Sequence, residues 1–164
     1  INAAINSIQL NLEQIFYFMI YQIRKTDEVK TMTTKEKDLE KIAEFRSKGY
    51  GCAQVMVAMG LWKMEEENPL LVEAAKGLCL GCHCESLCGC ISGAACMATM
   101  IDREQALEYV IPELAAWFEA EYGSINCMDL LEGDVNNKFT TCPPIIENTY
   151  LKAKELLSEV GYDL

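Results

Sequence analysis

An all-α fold, a single-domain bundle of about six to eight helices around a cysteine-rich loop, is what three features of this chain predict. Apolar residues recur at three- and four-residue spacing in segment after segment. Helix-start and helix-stop residues, among them Thr33, Asn68-Pro69, Asp102, Gly123 and Gly161, separate those segments. No run alternates apolar and polar residues between turn residues, so no strand is expected. With 164 residues, 51% of them hydrophobic, the chain can bury a core without disulfide staples.

Residues 1–24 place Ile5, Ile8, Leu12, Ile15, Phe16, Met19, Ile20 and Ile23 at helical spacing, an amphipathic helix. Its plain role is to pack on its own domain; its functional role is docking, as a homodimer through this helix. A polar linker follows, so the expected division is 1–31 for helix and linker, with Met32 a natural start, and 32–164 for a Cys-rich helical domain. The apolar stretch from Ile15 to Tyr21 is seven residues long, against about 20 for a membrane span. The start shows neither the basic region nor the cleavage site of a secretory signal.

Thr33-x-x-Glu36 reads as a capping box, followed by Leu39, Ile42, Ala43 and Phe45 at helical spacing. Lys48-Gly49-Tyr50-Gly51 closes that helix. Cys52 opens a second one, apolar on most sides, whose methionines 56, 59 and 64 read as core filler rather than a copper site. Asn68-Pro69 starts a third, running to Lys76 and ended by Gly77. After the cysteine loop, Ile91 to Met100 is the next helix. Asp102-x-x-Gln105 caps another to Val110, Pro112 kinks or restarts it, and it continues to Gly123. Ser124 opens a short helix holding Cys127. Residues 133–141 read as a polar loop, with Cys142 in the cap position before Pro143 and a last helix to Gly161.

Twenty-five acidic residues against 14 basic ones give a formal net charge of −11. Nucleic acid and anionic membrane demand cationic surface, so neither is expected as a partner. Glu65-Glu66-Glu67, Glu119 and Glu121 read as solvated surface. No Ser-His-Asp set, phosphate loop or H-E-x-x-H is present, so a hydrolase is unsupported. Nine cysteines in a chain with a full core suit a reducing compartment better than a secreted disulfide scaffold, and a cytoplasmic location is expected.

Chemistry concentrates between Gly77 and Gly93, where Cys79, Cys82, Cys84, Cys88 and Cys90 surround the single histidine, His83. A buried structural cysteine needs no company, whereas clustered thiols imply metal ligation or disulfide exchange. The other cysteines extend the pattern. Cys52, Cys88 with Cys90, Cys127 and Cys142 are each predicted at a helix N-terminus, where unpaired N–H groups and the dipole favour a thiolate. Cys96, inside an apolar helix, reads as core.

These positions resemble the C-GCAxxG-C-C family of redox-active proteins. The resemblance rests on Gly51-Cys52-Ala53-Gln54, Cys88-Gly89-Cys90-Ile91-Ser92-Gly93, Gly123-Ser124-Ile125-Asn126-Cys127 and Cys142-Pro143, and spans roughly residues 34–160. It implies redox activity without a particular reaction, since the family has none firmly assigned. Cys90 stands where the family has alanine, and Cys79, Cys82 and Cys84 fill a segment that is glycine-rich in relatives.

The residues suit four chemistries. An iron–sulfur cluster for electron transfer is the first, held by Cys79, Cys82, Cys84, Cys88 and Cys90 with Cys127 and Cys142, although the spacing matches no ferredoxin run. Metal-free thiol–disulfide exchange is the second, with Cys52, Cys88, Cys127 and Cys142 as the essential, catalytic set. Haem c is the third, since Cys79-Leu80-Gly81-Cys82-His83 matches C-x-x-C-H. The split-Soret cytochromes, which combine haem c with an iron centre, are distantly similar to the family. Zinc is the fourth, bound by thiolates with or without His83 as the clip of an interaction module. Without the cysteines His83 would read as an exposed loop residue. A redox partner protein is expected.

Overall fold

The computed structural model describes Met19 and residues 32–164, and the chain divides into two units, Ile1–Asp38 and Leu39–Leu164. The amphipathic N-terminal helix, the start of the linker and the dimer expected through that helix lie outside the described residues. Among the described residues there are seven α-helices of four residues or more and no strand. They are α1 (Thr34–Ser47), α2 (Cys52–Lys63), α3 (Pro69–Ala75), α4 (Gly89–Ile101), α5 (Ile111–Tyr122), α6 (Cys127–Leu130) and α7 (Lys138–Glu159).

Local chemistry accounts for most of the boundaries. The Thr33 N–H donates to the Glu36 carboxylate at 2.7 Å while the Glu36 N–H donates to Thr33 Oγ1 at 3.2 Å, the reciprocal box the sequence predicts. Asn68 Oδ1 accepts from the Leu71 N–H at 3.0 Å, with Pro69 at the first helical position. Asp102 Oδ1 accepts from the N–H groups of Glu104 and Gln105 at 2.9 and 3.0 Å. The turn that Asp102 starts, Arg103–Gln105, widens over Ala106–Val110, where the Ile111 N–H reaches back to Ala106 O. Pro112 follows directly. A widened turn absorbs the missing donor, so the chain runs on into α5 instead of breaking.

One boundary differs from expectation. The last helix begins at Lys138, so Cys142 lies in its second turn, with Pro143 and Pro144 inside the helix. Asp134 explains the earlier start: its carboxylate accepts from the Asn136 N–H at 2.9 Å and caps a tight turn, Val135–Asn137, that feeds straight into α7. The prolines leave only early-turn carbonyls without donors, which solvent can satisfy.

The most extensive helix contact is α2 on α4, and α4 also packs on α5 and α7. A Cβ on Gly93 would lie 2.6 Å from Ala53 Cα and 2.8 Å from Ala53 O, so this glycine allows the two backbones to touch. The main core joins Val55, Met56, Met59, Ile91, Met97, Leu114, Phe118, Tyr150 and Leu157, and a smaller cluster joins Val57, Leu61 and Val72. Met56 and Met59 are fully buried core filler, as expected. Glu65, Glu66, Glu67, Glu119 and Glu121 are exposed. No helix among the described residues is long and apolar enough to cross a membrane.

Candidate functional site

Cys52 is the first residue of α2, Cys88 the cap residue of α4 and Cys90 its second residue, so three thiols stand at the starts of the two most closely packed helices. Cys79 joins them from the end of the turn Lys76–Leu78. Two glycines make the room. A Cβ on Gly51 would sit 2.6 Å from Cys79 Sγ, and one on Gly89 would overlap Cys52 Sγ and lie 2.9 Å from Leu78 O. A short antiparallel bridge between Leu87 and Asn126 adds a fifth sulfur. There the Cys88 N–H donates to Ile125 O at 2.8 Å and the Cys127 N–H donates to Ser86 O at 2.7 Å.

Hydrogen bonding sets the charge distribution. Cys52 is only partly exposed, yet its thiol is held well below the ordinary range. The neighbouring Cys79 and then Cys90 thiols lower it most, and the N–H groups of Leu80 and Ala53 help them outweigh burial. Cys88 is also lowered, first by the Cys90 thiol and despite burial. Their neighbours move the other way: Cys79 is raised by the adjacent Cys52 and then by burial, and Cys90 by the adjacent Cys52 and Cys88 and then by burial.

The expectation that every helix-start thiol ionises easily therefore needs correction. Burial raises Cys127 to about 11 and Cys142 to about 12, helped by the nearby Cys52 and Cys88 charges. Cys142 also lacks the terminus that was expected for it. One thiolate already present makes each further one harder to form. Cys82, His83 and Cys84 are exposed. His83 Nε2 lies 3.3 Å from Lys76 O, while the two cysteines of the C-x-x-C-H stretch are split, Cys79 buried against Cys52 and Cys82 turned outward. Cys96 packs partly buried against the smaller core cluster, as expected.

Two further neighbours shape the site: Tyr122, which had no signal in the sequence, and Gln54, which belongs to the Gly51–Gln54 stretch that carries the family resemblance. Tyr122, at the end of α5, has its phenol raised by burial and then by Glu121, Cys90 and Cys88, against the lowering effect of the Asn148 amide, which donates to its oxygen at 3.2 Å. Gln54 accepts from the Gly51 N–H at 3.1 Å and donates to Val72 O at 3.2 Å, which fixes the turn before Cys52. A groove of about 710 Å³ beside Phe45, Tyr50 and Trp62 contains no cysteine.

In kind, these sulfurs with their N–H donors suit a soft metal or an iron–sulfur cluster. In arrangement, no group of three or more His, Cys, Asp or Glu side chains among the described residues is placed to hold a metal ion.

The titration of the site gives a measurable sign. Raised thiols contribute stability that is present below the ordinary thiol value of about 8.5 and is lost as pH rises through their folded values. The lowered thiols, Cys52 and Cys88, contribute above about 8.5 and lose that contribution only as pH falls. The urea midpoint of the reduced protein should therefore drop as pH goes from about 8.5 to 10.5, and drop less in Cys142→Ala. An equal drop in that variant contradicts the assignment.

Fold and site together define a class: an all-α protein whose buried thiols cluster at two helix starts. Residues 50–156 match the family model described as "Putative redox-active protein (C_GCAxxG_C_C)", and the chain belongs to that family. No curated protein and no solved structure matches it.

Proposed function

We propose that this protein is a thiol–disulfide oxidoreductase in which Cys52 attacks and Cys79 resolves. One observation carries the reading: Cys52, partly exposed at the start of α2, packs with the buried Cys79 where Gly51 and Gly89 leave room for the two sulfurs, and its neighbours hold its thiol well below the ordinary range. In the first step the Cys52 thiolate attacks one sulfur of a substrate disulfide. The substrate S–S bond breaks, a Cys52 mixed disulfide forms and one substrate thiolate leaves, taking the proton that Cys79 gives up. Cys79 then attacks the Cys52 sulfur; the Cys52–Cys79 bond forms and the second substrate thiolate leaves, protonated by solvent. The substrate gains two electrons and the protein dithiol loses them. A cytoplasmic, reducing setting and a redox partner protein that restores the dithiol complete the reading.

A second reading, an iron–sulfur cluster on Cys52, Cys79, Cys88 and Cys90 flanked by Cys127 and Cys142, is supported by the kind of donor, soft sulfurs at helix starts, and requires these side chains to rearrange around the metal. Anaerobic purification, a visible spectrum, metal analysis and peptide mass mapping after mild oxidation with a small disulfide separate the two. Thiol exchange expects a colourless, metal-free protein that acquires a Cys52–Cys79 link. Stoichiometric iron with broad charge-transfer bands replaces that reading with the cluster, a sharp Soret band replaces it with haem, and a colourless zinc protein replaces it with a structural clip.

A further inference from the structure

Resting on the thiol-exchange reading, we propose that Cys82 and Cys84 form a surface shuttle dithiol that carries electron pairs from a partner protein's dithiol to the Cys52–Cys79 pair. Neither residue belongs to the buried cluster, and both are exposed on the short loop that follows Cys79. The loop is built of left-handed backbone: Leu80 (φ 51°), Gly81 (φ 63°), Cys82 (φ 58°) and His83 (φ 54°) follow one another, and Glu85 (φ 65°) repeats the sign. Non-glycine residues adopt that conformation reluctantly, so the segment holds strain that a rearrangement releases.

The same geometry brings the sulfurs into series. A left-handed turn mirrors helix geometry, so residues two and three apart stand about 5.5 and 5 Å apart at Cα. Both separations fall inside the roughly 4.4–6.8 Å that a disulfide spans. Cys79 can thus link to Cys82, three residues on, whereas Cys82 and Cys84, two apart, face different sides of the turn and link only when the backbone at Cys84 (φ −130°, ψ 23°), already outside the left-handed run, rotates its side chain toward Cys82. In the reduced loop the Cys84 thiol donates to Gly81 O at 3.2 Å, which ties it back beside Cys82.

Electrons and atoms balance in three exchanges. The Cys82 thiolate attacks Cys79 of the oxidised pair: the Cys52–Cys79 bond breaks, Cys79–Cys82 forms, and Cys52 leaves as the thiolate that the Ala53 and Leu80 N–H groups receive. Cys84 then attacks Cys82: Cys79–Cys82 breaks, Cys82–Cys84 forms, and Cys79 leaves, taking up the proton that Cys84 released. Last, a partner protein dithiol reduces Cys82–Cys84 and becomes a disulfide itself. The role of the loop explains why two thiols remain outside a site whose reactive sulfurs are partly or wholly enclosed.

The test uses the full chain, oxidised with a small disulfide and then reduced either by a C-x-x-C dithiol protein or by dithiothreitol, with the Cys52–Cys79 link followed by peptide mass mapping. In Cys82→Ser/Cys84→Ser the ratio of the protein-dithiol rate to the dithiothreitol rate should fall at least tenfold, and Cys84→Ser alone should accumulate a Cys79–Cys82 link. An unchanged ratio overturns the shuttle while leaving the Cys52–Cys79 reaction in place. Wild-type protein that never acquires the Cys52–Cys79 link overturns both.

Discussion

Cys52→Ser protein should lose the single cysteine that iodoacetamide modifies rapidly at pH 5. An ordinary thiol with a value of about 8.5 is ionised to roughly 3 parts in 10⁴ at that pH. Cys52 is held largely as thiolate by the Cys79 and Cys90 thiols and by the Leu80 and Ala53 N–H groups. A lowered value also makes the sulfur intrinsically less nucleophilic, by about two to three orders of magnitude. The ionisation gain is the larger of the two effects, leaving a net advantage of roughly 5- to 20-fold at pH 5. Wild-type reactivity at this site should also stay nearly flat from pH 5 to 8, where an unperturbed thiol gains about tenfold per unit. A rate at Cys52 that climbs tenfold per unit across that range would remove the reactive centre from the proposal.

Gly93→Ala should destabilise the fold by about 2 kcal/mol or more, read from urea denaturation. Alanine in a helix interior is worth about 1 kcal/mol over glycine, but the added methyl would meet backbone, 2.6 Å from Ala53 Cα and 2.8 Å from Ala53 O. Overpacking costs typically 1–3 kcal/mol even when side chains can move, and here α2 itself must retreat. That retreat carries Cys52 away from Cys90, so rapid alkylation should weaken together with stability. Gly77, with nothing within 4 Å of its would-be Cβ, is the control; its alanine variant should be neutral or slightly stabilised. Equal stability of the two variants would mean that the α2–α4 contact is not close-packed at Gly93.

Much of the architecture was legible because the signals are local. The Thr33 box, the Asn68 and Asp102 caps, and Gly123 and Gly161 at helix ends depend on residues a few positions apart. Cys142 is misplaced for the same reason: Pro143 looks like a helix start until Asp134, nine residues before it, is seen to cap the turn that leads into α7. For the site, the helix starts correctly marked where Cys52 and Cys88 stand. That Cys79 and Cys90 are the thiols that act on Cys52 was not legible, because contact across folded segments leaves no spacing to read.

Helical periodicity, caps and a crowd of cysteines in one stretch are properties of neighbours along the chain, and the amino-acid order alone settles them. Which sulfur is charged belongs to the folded molecule. It depends on Gly51, Gly89 and Gly93 allowing α2, α4 and the loop to approach within contact distance, and on the Leu87–Asn126 bridge drawing Cys127 alongside. Proton sharing falls off within a hydrogen bond's length, so identical thiols diverge according to which neighbours the packing brings to them.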